Sequence, residues 1–228
     1  MKVEILPDGD SLARRAAAVI AADARQAVAA RGRFVMAVSG GKSPWLMLAD
    51  LANETVPWPN VHVFQIDERI APAGDPDRNY MHLRASLLEH APIPPDQIYP
   101  MPVESPDIEA AAKEYAHTLE GVAGRPPVLD LAHLGLGPDG HTASLIPGDP
   151  VCEVSDRDVA LTGVYQGRQR MTLTYPVINR ARRILWLVSG KDKVSAFPKL
   201  RAADPSIPAG RVSQAQALLL ADREATGE

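Results

Sequence analysis

One loop of this sequence combines a histidine, an aspartate, two hydroxyl residues and three glycines: Gly135-Leu-Gly-Pro-Asp139-Gly-His141-Thr-Ala-Ser144. A neutral imidazole takes a proton from water readily at neutral pH, which makes His141 a candidate general base. Asp139 is close enough in sequence to orient that imidazole or to hold the loop. A single histidine after a strand is usually structural, but the glycines leave space around this ring and favour a functional role.

A glycine-rich turn at Ser39–Pro44 has the composition of an anion site. Backbone N–H groups and the positive end of a helix dipole favour phosphate there, and Pro44 suits the first position of a helix capped by Ser43. The turn matches neither the P-loop nor the dinucleotide pattern, so the sequence favours a small phosphorylated ligand over ATP or NAD. The candidate phosphate contacts are Gly40, Gly41, Lys42 and Ser43.

Charged residues near other predicted strand ends are candidates for the same site. Arg170 and Lys193 could add charge-assisted contacts, and we expect both to converge on the Gly40–Gly41 turn. Asp67-Glu68-Arg69 follows an alternating segment, and we expect at least one of these residues to face the cleft. Taken singly, each of these charges is also typical of a solvated surface.

The order of predicted elements indicates an α/β fold. Apolar segments predict strands at 2–6, 34–38, 61–66, 128–134 and 183–188, and helical spacing predicts helices at 11–30, 44–53, 80–89, 108–119 and from 191. A strand pair at 159–165 and 170–174 is joined through Gln166-Gly167, and the segment 215–221 fits either a strand or a helix. Alternating strands and helices predict a mainly parallel sheet covered on both faces. The loops 39–43, 67–69, 135–144 and 189–193 should then share one edge and form one site.

Length, net charge, cysteine content and the absence of long apolar stretches limit the classes of protein to which the chain can belong. The chain has 228 residues and a net charge of −4, no linker divides it, and we expect a single domain over 1–228 that does not bind nucleic acid. Its one cysteine, Cys152, excludes an intrachain disulfide, and no Cys/His spacing indicates zinc. The chain has neither a signal peptide pattern nor an apolar stretch long enough for a bilayer, which predicts a cytoplasmic protein with no membrane partner.

Together these motifs resemble the 6-phosphogluconolactonase family over nearly the whole chain. They are Ser39-Gly-Gly-Lys-Ser-Pro44, Asp67-Glu-Arg69, the loop around His141, Arg170-Met-Thr-Leu-Thr174 and Ser189-Gly-Lys-Asp-Lys193. The resemblance implies a Rossmann-like, three-layer α/β/α fold. It also implies hydrolysis of 6-phospho-D-glucono-1,5-lactone to 6-phosphogluconate in the oxidative pentose phosphate pathway, without a metal. We expect a monomer that uses no cofactor.

Three positions depart from the family pattern. Lys42 replaces a small hydroxyl residue, Arg78 replaces a serine before Asn79, and Ile146 replaces a frequent phenylalanine. Ile146 also separates two enzyme classes, since glucosamine-6-phosphate deaminases resemble this chain but carry a proton-relaying glutamate five residues after the histidine. The alternatives are such a deaminase, which Ile146 disfavours, and a non-catalytic sugar-phosphate-binding protein.

Overall fold

The computed structural model describes residues 1–227, in which strands and helices alternate. The strands are β1 (Lys2–Leu6), β2 (Phe34–Val38), β3 (Val61–Gln65), β4 (Asp67–Arg69), β5 (Ile98–Tyr99), β6 (Leu131–Gly135), β7 (Val159–Leu161), β8 (Arg170–Leu173), β9 (Ile184–Val188) and β10 (Ala217–Asp222). The α-helices are α1 (Gly9–Arg31), α2 (Lys42–Ala52), α3 (Asn79–Leu83), α4 (Ile108–Ala123), α5 (Tyr175–Arg180), α6 (Phe197–Arg201) and α7 (Arg223–Thr226).

Seven strands form one parallel sheet in the order β1-β10-β9-β6-β2-β3-β5. The central strands β2 and β9 are continuous apolar runs that are buried throughout, as expected for a parallel sheet covered on both faces. The three remaining strands form a small antiparallel sheet in the order β4-β8-β7. The prediction of a mainly parallel α/β fold is confirmed.

A hydrophobic core lies on each face of the large sheet. On one face, the alanine-rich side of α1 packs with α2 against Met36, Leu185 and Leu220. On the other face, α4 and the small sheet pack against Phe64, Trp186 and Leu219. The result is a three-layer arrangement. None of the helices in residues 1–227 has the length and apolar character needed to span a membrane.

Besides the two-residue edge strand β5, two further segments are strands that the local pattern did not assign. Residues 67–69, expected to be a loop, form β4 and pair antiparallel with β8. The undecided segment 215–221 contains most of β10, which lies between β1 and β9 in parallel register. In both cases the partner strands come from distant parts of the chain, so the segment itself carries little information about the pairing.

The two helix boundaries nearest the site also differ from prediction. Helix α2 begins at Lys42 with Gly41 as its N-cap, so Ser43 does not cap it. Gly41 has a φ of 126°, a conformation that favours glycine and starts the helix two residues before Pro44. The helix predicted from Lys191 is a short 3₁₀ turn at Lys191–Lys193, and α6 begins only at Phe197.

Candidate active site

All four of the loops expected to converge line one cavity. It has a volume of about 680 Å³ and lies at the carboxyl edge of the large sheet, where β2, β6 and β9 end. The residues lining it include these predicted ones: Gly40, Gly41, Lys42, Ser43, Asp67, Arg69, His141, Arg170 and Lys193. Asp139 does not line the cavity and reaches it through a contact with His141.

His141 and Asp139 form a hydrogen-bonded pair at the end of β6. The imidazole Nδ1 lies 2.6 Å from Asp139 Oδ1, and the His141 backbone N–H donates to the same oxygen at 3.1 Å. Burial raises the pKa of Asp139, but these hydrogen bonds and the nearby imidazole outweigh it and lower the pKa below its usual range. An ionised carboxylate only accepts hydrogen bonds, so Nδ1 carries the proton and Nε2 is the basic nitrogen.

The imidazole packs directly against the backbone of Gly137. A Cβ atom at this position would lie 2.1 Å from His141 Nδ1 and 2.7 Å from Cγ, well inside van der Waals contact. Gly137 N–H also donates to the His141 carbonyl oxygen at 2.8 Å, which closes the loop on itself. Glycine is therefore required here by the close approach of the ring.

The turn before α2 is held from two sides. Ser39 hydroxyl donates to the His133 carbonyl oxygen at 2.9 Å, and Ser39 N–H donates to His133 Nδ1 at 3.3 Å. On the other side, a Cβ at Gly40 would lie 2.1 Å from Asn79 Oδ1, so the backbone lies against that amide. The positive end of the α2 dipole, with Lys42 at its first position, thereby faces the cavity.

Asp67 connects the small sheet to the histidine loop. Ser144 hydroxyl donates to Asp67 Oδ2 at 2.7 Å, and Ser144 N–H donates to the Thr172 hydroxyl of β8 at 3.2 Å. Burial raises the pKa of Asp67, against the opposing effects of the Ser144 hydrogen bond and the Arg170 charge. The hydroxyl at 144, noted only as part of a motif in the sequence, therefore joins two elements of the site.

Glu68 lies below the cavity rather than in it. Its carboxylate is 0% exposed and accepts hydrogen bonds from the Gln65 amide and from the backbone N–H groups of Arg69, Asn79 and Tyr80. Arg78 Nε lies 3.3 Å from the same carboxylate. Of the triplet Asp67-Glu68-Arg69, Asp67 and Arg69 line the cavity. Glu68 instead fixes the backbone at Arg69 and Asn79 by accepting hydrogen bonds from their N–H groups.

The predicted cations Lys193, Arg69 and Arg170 all line the cavity, but they differ in burial and in how fully their N–H groups are hydrogen-bonded. The Lys193 ammonium donates to Asp192 Oδ2 at 2.7 Å, and Arg69 Nη1 donates to the Asp77 carbonyl oxygen at 2.7 Å. Arg170 is only 4% exposed, and its buried Nε finds no hydrogen-bond acceptor among residues 1–227. Burial lowers the pKa of its guanidinium, which reflects the cost of desolvating a cation. A buried, incompletely paired cation beside a cavity favours binding of an anion.

Two polar residues that the motifs did not identify lie next to the His141–Asp139 pair and Arg170. Tyr165 hydroxyl donates to Asp139 Oδ2 at 2.9 Å, and Gln166 Oε1 accepts from Arg170 Nη2 at 3.2 Å. Both belong to the turn between β7 and β8, although the pattern predicted Tyr165 as the last residue of a strand and Gln166 only as part of the connection. Lone tyrosine and glutamine residues in a turn carry no local signal of such contacts.

The site also lacks the side-chain clusters that bind metals. Nowhere in residues 1–227 do three His, Cys, Asp or Glu side chains come together in a group that could hold an ion. The groups that line the cavity include an imidazole, carboxylates, hydroxyls and cationic side chains.

Comparisons with known proteins agree with the motifs. Residues 7–220 match the family described as glucosamine-6-phosphate isomerases/6-phosphogluconolactonase. A 6-phosphogluconolactonase of Synechocystis is 38% identical over 225 residues, which cover 96% of this chain and 93% of the relative. The solved structure of 6-phosphogluconolactonase from Thermotoga maritima has a TM-score of 0.86 and 26% identity, covering 97% of this chain and 98% of that one.

A monomeric glucosamine-6-phosphate deaminase has the same TM-score of 0.86, covering 100% of this chain and 99% of that one. At 20% identity this likeness shows the fold alone. The family resemblance drawn from the motifs is confirmed by the first three comparisons. Since the family match spans most of the chain and the Synechocystis relative aligns along nearly all of it, this chain belongs to the glucosamine-6-phosphate isomerase/6-phosphogluconolactonase family.

Proposed function

We propose that this protein hydrolyses 6-phospho-D-glucono-1,5-lactone to 6-phosphogluconate, with His141 as the general base. The observation that carries the proposal is that one cavity is lined both by His141, which is hydrogen-bonded to Asp139, and by the N-terminus of helix α2. The 6-phosphogluconolactonases of Synechocystis and Thermotoga maritima support the reaction class. These two features meet the two requirements of the reaction, which are a base that removes a proton from water and a site that binds the substrate phosphate.

His141 Nε2 removes a proton from a water molecule that attacks C1 of the lactone. Asp139 keeps the proton on Nδ1 and stabilises the imidazolium that forms. The C1–ring oxygen bond then breaks, the imidazolium returns its proton to the ring oxygen, and the new carboxyl group releases a proton to solvent. A lactone is an activated ester, so no covalent nucleophile is needed.

The remaining site residues bind and orient the substrate. Backbone N–H groups of the histidine loop or the Arg69 guanidinium stabilise the oxyanion that develops at C1. The phosphate is held by the Gly40–Gly41 turn, with Lys42, Ser43, Arg170 and Lys193 supplying further donors. Asp67 partly balances the charge of Arg170 and holds the position of the histidine loop. Holding the phosphate at one end presents C1 to the base at the other.

Ile146 argues against the deaminase reaction. Its side chain is buried and apolar, so it cannot carry a proton during ring opening and loss of the amine. We therefore expect no ammonia release from glucosamine 6-phosphate. Because the derived mechanism needs only a base, water and hydrogen-bond donors, we also expect lactone hydrolysis to be unchanged in EDTA. Ammonia release, or a loss of activity in EDTA that added metal restores, would contradict this mechanism.

The decisive experiment is turnover by the wild type and by His141→Ala. Proton release on adding the phosphorylated lactone is followed and corrected for spontaneous hydrolysis. We expect kcat to fall by about 100-fold or more, because a general base supplies about that factor, and 6-phosphogluconate affinity to stay nearly unchanged. His117→Ala is a control, because this exposed histidine is on α4, away from the cavity. More than about a tenth of the wild-type kcat in His141→Ala would exclude the assignment.

A further inference from the structure

The turn between β7 and β8 has a backbone that is unusual for its sequence. Tyr165 and Arg168 exchange two backbone hydrogen bonds, Tyr165 N–H to Arg168 O at 2.9 Å and Arg168 N–H to Tyr165 O at 3.2 Å. Gln166 and Gly167 between them have φ values of 52° and 77°. Positive φ at both central residues is the type I′ turn, which favours asparagine, aspartate or glycine at the first position. We call Tyr165–Arg168 the hairpin tip.

Gln166 therefore occupies a position where another residue would stabilise the turn better. A non-glycine residue in this backbone region is strained, and such strain is retained where the side chain has a use. Gln166 lines the cavity, and its Oε1 is the hydrogen-bond acceptor of Arg170 Nη2. The Gln166 amide thus orients the buried Arg170 guanidinium, whose Nε has no hydrogen-bond partner among residues 1–227.

Tyr165 contacts the base from the same tip. Its hydroxyl donates to Asp139 Oδ2, so Oδ1 remains directed at His141 Nδ1. The Tyr165 ring meets the imidazole edge-on with 5.6 Å between centroids, and the Arg170 guanidinium lies over the same tyrosine ring at 5.0 Å from its centroid. One aromatic ring therefore contacts both the catalytic pair and the phosphate-binding cation.

The tip is held in place by polar contacts rather than by an apolar core. Arg168 Nη2 donates to Asp75 Oδ2 at 2.8 Å, whereas the adjacent Val164 is 76% exposed. Desolvation and the adjacent Asp139 carboxylate raise the pKa of Tyr165, so its hydroxyl remains a donor throughout the neutral range.

We propose that the hairpin tip carries two positioning residues for the lactonase reaction, Tyr165 for the His141–Asp139 base and Gln166 for the Arg170 cation. Tyr165 fixes the carboxylate that selects the Nδ1–H tautomer, and Gln166 fixes the direction of the guanidinium toward the phosphate. This inference rests on the proposed function for its kinetic effects, and it makes a separate prediction about the His141 tautomer.

The first test is Tyr165→Phe, which keeps the ring between His141 and Arg170 and removes only the hydroxyl. We expect kcat to fall about tenfold with KM nearly unchanged, the fold-change that corresponds to one hydrogen bond to a charged group. We also expect ¹⁵N NMR of the His141 ring to change from a single Nδ1–H tautomer in the wild type to a mixture in Tyr165→Phe. An unchanged kcat and an unchanged tautomer would overturn the role of Tyr165.

The second test is Gln166→Asn, which suits the backbone of the turn but is one methylene too short to reach Arg170. We expect KM and the dissociation constant of 6-phosphogluconate to rise several-fold, with kcat retained and thermal stability equal or higher. The control is Val164→Ala, a neighbouring exposed position at which we expect no kinetic change. A fall in kcat without a change in product affinity in Gln166→Asn would overturn the role of Gln166.

These measurements separate the inference from the proposed function. If the wild type failed to hydrolyse the lactone, the proposed function would be wrong, and the His141 tautomer in Tyr165→Phe would still decide whether Tyr165 positions the pair. If the wild type hydrolysed the lactone but neither variant changed kcat, KM or the tautomer, the inference alone would be wrong.

Discussion

The two sheets hold their parts of the site in different ways. The large sheet presents the Gly40–Gly41 turn and the His141 loop from strands that are almost wholly apolar and buried. The small sheet presents Asp67, Arg69 and Arg170 from short strands in which many buried side chains are polar or charged. Apolar side chains pack without directional bonds, so their burial tolerates small changes in side-chain orientation. In a buried polar network, each side chain that is deleted leaves its hydrogen-bond partner unsatisfied. We therefore expect the two regions to respond differently to substitution.

The largest effect is expected at Gly137, where the loop after β6 packs against the His141 imidazole. Gly137→Ala would place a methyl group on the imidazole, so the ring must rotate away from Asp139. We expect kcat to fall about 100-fold or more, as for loss of the base itself, while the melting temperature changes little because the ring can turn into the open cavity.

Gly135→Ala is the matched control, because a Cβ there would have no atom of residues 1–227 within 4 Å apart from its immediate chain neighbours. Steady-state kinetics and thermal denaturation of both variants test the comparison. Equal kinetic losses in the two variants would contradict the steric argument at Gly137.

The next largest effect is expected at Glu68, which holds the small sheet's polar network. Glu68→Ala removes the acceptor of four hydrogen bonds and leaves the buried Arg78 beside an apolar methyl group. We expect the free energy of unfolding to fall by about 3–5 kcal/mol, the range for breaking a buried charge network.

Glu104→Ala is the control for Glu68, since Glu104 pairs with the same Arg78 but is 55% exposed. We expect about 1 kcal/mol or less there, because solvent screens the pair. Urea denaturation measures both values. A Glu68→Ala protein as stable as the Glu104→Ala protein would show that the buried network does not hold the small sheet.

A smaller effect is expected from removing the cation of the small sheet. Arg170→Ala should weaken 6-phosphogluconate binding by about 10- to 100-fold, which corresponds to a charge-assisted contact of about 1.5–3 kcal/mol. Isothermal titration calorimetry gives the affinity, and Arg157→Ala, an exposed arginine paired with Asp156, is the control. Unchanged 6-phosphogluconate affinity in Arg170→Ala would contradict the proposed role of Arg170 in binding the phosphate.

The last prediction concerns His133, a polar exception within the large sheet. Burial lowers the pKa of His133 to about 3, and its Nε2 has no partner in the described part of the chain. Between pH 6.5 and 3 the unfolded chain therefore binds a proton that the folded protein does not. Stability contributed by the neutral ring is present above pH 6.5 and is lost as the pH falls, at up to about 1.4 kcal/mol per pH unit.

His133→Asn keeps an acceptor near the position of Nδ1 and removes the titration. We expect the unfolding free energy of this variant to depend less on pH between 6.5 and 4 than that of the wild type. Urea denaturation at a series of pH values gives the two slopes, whatever the absolute stabilities. Parallel slopes would show that His133 does not stay neutral in the folded protein.

Several elements of the fold could be predicted because their signals are local. The strands predicted at 2–6 and 34–38 coincide with β1 and β2, and the strand pair around Gln166-Gly167 is found as β7 and β8. Apolar runs and turn residues act over a few positions, so they can be read along the chain. The starts of α2 and β4 could not be read this way, because one depends on the φ of Gly41 and the other on pairing with β8.

For the site, the residue pattern alone identifies the groups that are close along the chain. His141 and Asp139 are two residues apart on a glycine-rich loop, and the Gly40–Gly41 turn directly precedes a helix, so local spacing is enough to find both. The contacts of Ser144 with Asp67, across 77 residues, and of Tyr165 with Asp139, across 26, follow only from the folded chain. The physical reason is that these contacts depend on how the strands of the small sheet pair and how that sheet packs against the large one. The free energy of this packing is a sum over the whole core, so no single segment of the sequence determines it.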